Sequence, residues 1–154
     1  MKRNERATKT IAVLMGGPGS ERDVSLATAR GVAKALRSRG AEVFEIDVRD
    51  ENFELPTDID LAFLTIHGTF GEDGQLQQIL ENRGVPYTGD GVKQSRTAFD
   101  KIESKEKFEA AGVTTPRWQV IGANDEPTLS ASLASSRRRG RARRSASILL
   151  RRRG

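Results

Sequence analysis

Five consecutive apolar residues, Ile11-Ala12-Val13-Leu14-Met15, run straight into Gly16-Gly17-Pro18-Gly19-Ser20-Glu21-Arg22-Asp23-Val24-Ser25. An apolar run with β-branched members reads as a strand buried on both faces, the kind found in the middle of a parallel sheet. The glycines let the backbone turn sharply, and Ser20, Glu21 and Asp23 suit the cap and first turn of a helix. Strand, glycine turn and helix N-terminus together form the ligand-facing corner of α/β folds. Glu21 is the unusual member. A corner built only for phosphate would not carry a carboxylate, because like charges repel at short range. The residues therefore point to a ligand bearing an amine, with room for a carboxylate beside it. A plainer reading, a tight turn whose Glu21 complements the helix dipole, accounts for this loop alone equally well.

The rest of the chain repeats that arrangement. Leu26, Ala29, Val32, Ala33 and Leu36 recur at three- and four-residue steps, an amphipathic helix ending with Arg37, Arg39 and Gly40. Glu42–Val48 alternates apolar and polar residues, as a strand near a sheet edge does. A third strand, Ile59–Ile66, is mostly apolar and so central, and it enters His67-Gly68-Thr69-Phe70-Gly71-Glu72-Asp73-Gly74. Leu76, Ile79 and Leu80 then mark a short helix closed by Gly84. In a right-handed parallel sheet both glycine loops emerge on one rim, so Glu21 and His67 can share a crevice. Val85–Thr88 reads as a short extended piece and Gly89-Asp90-Gly91 as a turn. A helix is expected from about Asp100, with Glu103 completing a capping box, Ile102, Phe108 and Ala111 on its buried side, and Gly112 at its end. Arg117–Ile121 reads as one more strand. Met1–Lys9 is polar and expected to fray, and residues 122–154, rich in Ser, Ala and Arg, are expected to be disordered.

Charge is unevenly placed. The net +5 comes from nine arginines in Arg137–Arg153; ahead of them 17 basic and 21 acidic residues leave a net −4. The body thus gives no reason to expect a nucleic-acid partner. No cysteine is present, which excludes a disulfide framework and a thiolate nucleophile. No run of eighteen apolar residues and no leader-like apolar stretch occurs, so a soluble cytoplasmic protein without a membrane partner is expected.

Two nucleotide readings of the first loop fail on residues. A dinucleotide fingerprint from Gly17 would place Arg22 where a third glycine is needed, and no Gly-Lys-Ser/Thr ends the loop as in a phosphate-binding loop. His67 is the lone histidine. A structural role and a catalytic one both remain open, its place on the rim favouring the second. Glu72 and Asp73 read most simply as helix caps; adjacent acids at a helix start point apart, which argues against a metal there. Lys101 stands near a helix start, where a cation needs either an anion or solvent.

Taken together, GGPGSERDVS, IHGTFGEDGQLQ, LENRGVPYTGDGV and FDKIESK, in one order from Thr10 to Ile121, resemble the N-terminal domain of D-alanine–D-alanine ligases. The resemblance implies a three-layer α/β, Rossmann-like pre-ATP-grasp domain over residues 10–121, normally packed against ATP-grasp units. It implies an ATP-dependent ligase that joins two D-alanines for peptidoglycan through an acyl phosphate. By motif position Glu21 would hold the ammonium of the first D-alanine, Val24 and Ser25 would line that subsite, His67 would lie near the reacting carboxylate, and Lys101 would approach the nucleotide. Homodimers are common in the family.

The chain departs from the family after Ile121. The lysine–proline strand, the Gly-Ser-Ser loop and the acidic and asparagine ligands for Mg²⁺ do not occur in SASLASSRRRGRARRSAS or around it. The expectation is a frame-shifted or truncated reading of the second domain, inactive alone because its ATP-grasp partner and metal ligands are missing. Two other classes stand beside it: a self-sufficient amino-acid-binding module, and an anionic-polymer binder acting through the Arg-rich tail.

Overall fold

The computed structural model describes residues 8–121 and 147–151. They fall into two compact units, one up to Phe99 and one from Asp100.

The first unit is built on β1 (Thr10–Gly16), β2 (Glu42–Val48) and β3 (Leu61–Leu64), all parallel, in the order β2-β1-β3. Tyr87 extends the sheet beyond β3 through a parallel bridge to Ala62. The most apolar strand is therefore the inner one and the alternating strand is an edge, as expected. β3 is shorter than the 59–66 reading; Asp58 takes a left-handed φ of 63° just ahead of it.

Strand alternation divides the core into two faces. Ala12, Leu14 and Ala62 pack with Leu76 and Leu80 of α2 (Gln75–Asn82) on one side. Val13 packs with Ala29 and Ala33 of α1 (Arg22–Ser38) on the other. Helix, sheet and helix make the three layers. Both small alanines on α1 let it approach Val13 closely, and full burial of a residue such as Val13 or Leu14 contributes about 1.5–3 kcal/mol.

The first unit ends with α3 (Val92–Phe99), a helix the sequence reading leaves out. Its one buried residue is Ser95, whose Oγ donates to the Asp90 carbonyl, with Val92 and Phe99 partly buried on the same face.

In the second unit, Asp100 caps α4 (Lys101–Ala110), its Oδ1 accepting from the amides of Ile102 and Glu103. The expected buried face is corrected. Phe108 is 46% exposed and Ala111 exposed, while Lys105 is buried. The Lys105 ammonium donates to Thr115 Oγ1 and the Pro116 carbonyl, two acceptors that satisfy it at a buried position. β4 (Arg117–Ile121) pairs in parallel with β5 (Ser147–Arg151). The expectation of a structureless tail is thus corrected over 147–151, where Ile148-Leu149-Leu150 supply a strand-forming run. The remaining tail and residues 1–7 lie outside the described residues. Lys9, expected to fray, is instead paired with Asp60. Among the described residues no helix is long and apolar enough to cross a membrane.

Candidate functional site

The two glycine loops meet at the carboxyl ends of β1 and β3. Gly17 turns with φ +90° against the Ile66 side chain, and its N–H donates to the Val48 carbonyl at 2.7 Å. Gly19 faces the Thr69 carbonyl, and Gly68, at φ +67°, faces the Glu21 carboxylate. A Cβ on Gly68 would stand 2.7 Å from Glu21 Oε2.

Glu21 occupies the N-cap position of α1 but makes no side-chain capping bond. Its carboxylate leaves its own helix and reaches the opposite loop. Among the described residues it forms no ion pair, and it is exposed. A charge so placed can accept an ammonium's hydrogen bonds while remaining close to the helix N-terminus that stabilises it.

His67 ends β3's extension and is half-buried. Nε2 lies 3.4 Å from Thr28 Oγ1, and that hydroxyl already donates to the Val24 carbonyl at 3.0 Å. Thr28 therefore offers only a lone pair, which an Nε2–H can use. Nδ1 stands 3.7 Å from Glu72 Oε1. The imidazole is held between α1 and its own loop, on the same rim as Glu21.

The loop after His67 is a tightly folded support. Phe70 is buried with a left-handed φ of 77°, held by its N–H to Asp73 Oδ2 at 3.0 Å. Asp73 also accepts from the Gln75 amide, but the N-cap of α2 is Gly74, without a side-chain capping bond, and Glu72 turns toward His67, so the capping expected of these two acids is corrected. Gln77, buried, donates from Nε2 to the Gly71 carbonyl at 2.8 Å.

The remaining candidates separate. Val24, one turn along α1 from Glu21, is 58% exposed. Ser25 is fully buried, its Oγ accepting from the Gly16 amide at 2.9 Å, so it braces the corner from inside and does not line its surface. Lys101 is the exposed first residue of α4 in the second unit. The sequence reading missed Thr28 and the Arg22–Asp47 pair. Thr28 lies seven residues from Glu21, two helical turns on the same face, a signal that was available.

The first-unit residues 46–90 match the family model described as D-ala D-ala ligase N-terminus. This stretch is similar to the N-terminal domain of D-alanine–D-alanine ligases. The chain is 50% identical over 119 residues to the D-alanine--D-alanine ligase of Methylacidiphilum infernorum (isolate V4), covering 77% of this chain and 39% of that protein. Among solved structures it resembles the D-alanine--D-alanine ligase from Bacillus anthracis complexed with ATP, with a TM-score of 0.63 at 34% identity over 71% of this chain and 39% of that one. It also resembles the D-alanine-D-alanine ligase from Aeromonas hydrophila, with a TM-score of 0.70 at 26% identity over 84% of this chain and 59% of that one. The chain spans about two fifths of the length of the curated relatives it matches. The α/β layering and the ligase-type N-terminal domain agree with the sequence reading.

Among the described residues no group of three or more His, Cys, Asp or Glu side chains converges to hold a metal ion. Lys101, one exposed cation, does not by itself make a nucleotide site. The described residues thus do not fit Mg²⁺ or ATP as complete sites.

Proposed function

We propose that this domain supplies the first D-alanine subsite of a D-alanine–D-alanine ligase. The observation that carries the reading is the Glu21 carboxylate, unpaired among the described residues, lying over Gly68 on the rim that holds His67. In this reading Glu21 accepts the ammonium of the first D-alanine. The carboxylate of that D-alanine then lies toward His67, whose imidazole can donate a hydrogen bond to developing negative charge. Val24 forms an apolar wall for a methyl side chain, and Ser25 acts through Gly16 by fixing the turn. Lys101 approaches the nucleotide. Peptidoglycan synthesis, a cytoplasmic location, ATP-grasp partner domains and homodimerisation belong to the same reading.

The ligation joins the carboxyl of one D-alanine to the amine of another and needs ATP and Mg²⁺. No step through either is assigned to these residues, so the 154-residue chain is expected to release no phosphate from ATP with D-alanine.

The test is an NMR titration of the purified chain with D-alanine. Amide shifts in residues 19–25 and 67–72, abolished by Glu21→Gln, are the expected result. No perturbation, or perturbation unchanged in Glu21→Gln, overturns the reading.

A further inference from the structure

Arg22 follows Glu21 directly, yet the two side chains part. Glu21 reaches the loop after β3, while Arg22 Nη2 donates to both oxygens of Asp47 near the end of β2, at 2.8 and 2.6 Å. Since β1 lies between β2 and β3, consecutive residues of opposite charge are sent to opposite neighbours of one strand. The arginine passes Gly16, where a Cβ would overlap Nη1. Arg49 also stands 3.3 Å from Asp47.

This separation matters because a guanidinium is a strong partner for any nearby carboxylate. An arginine next to Glu21 with nothing else to bind would fold back on it and compete with a ligand's ammonium. Asp47 removes that competition. Its carboxyl is held below the usual range, first by the Arg22 bond, consistent with a standing attachment.

We infer that Asp47 is a positioning residue: it keeps Arg22 on the β2 side of the corner and so leaves the Glu21 carboxylate unpaired for an ammonium ligand. The inference rests on the proposed D-alanine subsite for its consequence, and on the Arg22–Asp47 geometry for its cause.

The test uses the full chain, D-alanine as probe, and the ¹³C resonance of the Glu21 carboxyl at pH 7. In Asp47→Asn, Arg22 turns to Glu21: the resonance moves and D-alanine binds about tenfold more weakly or worse. Arg22→Gln, which removes the competitor, stays within about threefold of wild type, and the double variant returns to that level. An ion pair that merely stiffened the fold would lose binding alike from either partner, with no return in the double. An unmoved Glu21 resonance in folded Asp47→Asn overturns the inference. If wild type binds no D-alanine but the resonance moves in Asp47→Asn and returns in the double, the subsite reading fails and the inference stands. If Asp47→Asn does not fold, Arg22→Gln decides: a tenfold loss with an intact amide spectrum overturns it.

Discussion

The Glu21 carboxylate packs over Gly68, so closely that a Cβ at 68 would stand 2.7 Å from Oε2. The contact makes Gly68 part of the anion's seat. Gly68→Ala is expected to displace the carboxylate and abolish the D-alanine response, while the left-handed φ of +67° adds about 1–2 kcal/mol of destabilisation. Gly84→Ala is the control. Its φ is +66° with open space around it, so a similar stability loss should leave binding intact. Urea unfolding and NMR titration on both variants separate the two effects.

Gly71 has a different constraint. Its backbone needs no positive φ, but a Cβ there would overlap the Ile66 carbonyl oxygen, a rigid neighbour. Gly71→Ala is expected to cost about 3 kcal/mol or more by overpacking the loop that carries His67. Gly31, on the exposed side of α1, meets nothing within 4 Å, and Gly31→Ala is expected to stabilise by roughly 1 kcal/mol through helix propensity. Urea midpoints moving in opposite directions are the check.

Where periodicity was strong, the sequence was a good guide. The apolar run before Gly16 became the inner strand, the 42–48 alternation became an edge strand with those bounds, and Glu21 and the His67 loop came to one rim. It misled where burial is not apolar. α4 buries Lys105 and shows almost no amphipathic pattern, and α3 centres its inner face on Ser95, with only Val92 and Phe99 beside it over eight residues. Ser25 was legible as a corner residue, but its inward turn depends on the Gly16 amide needing an acceptor, a demand visible only in three dimensions. The Arg22–Asp47 pair required the β1–β2 register, which sets Asp47 opposite Met15.

Asp47 and Asp60 both have carboxyls held below the ordinary aspartate value of 3.8, by Arg22 and by Lys9 with the Thr10 amide. A depressed folded-state value contributes stability above the unfolded pKa and loses it as pH falls through the folded one. Stability from these pairs is therefore complete above about pH 5 and declines below about pH 4. Asp47→Asn should flatten part of that acid limb. Urea midpoints at pH 6 and pH 3 check it: an equal drop in wild type and variant would contradict the Asp47 contribution.

Tyr87 gives the alkaline counterpart and a direct optical readout, because it is the only tyrosine in the chain. Burial and then its hydrogen bond to Glu81 Oε1, at 2.7 Å, push the phenol up to about 12 from an ordinary 10.0. A folded-state pKa raised above the unfolded one means stability intact below pH 10 and lost as pH climbs toward 12. Phenolate absorbance should rise near pH 12 in the native chain and near pH 10 in denaturant. Glu81→Gln removes the negative charge beside the phenol but leaves the burial, so its native midpoint should move only part of the way down. A native midpoint already near 10, with helical circular dichroism still intact at that pH, would mean that the Tyr87 phenol is open to water and not held by Glu81.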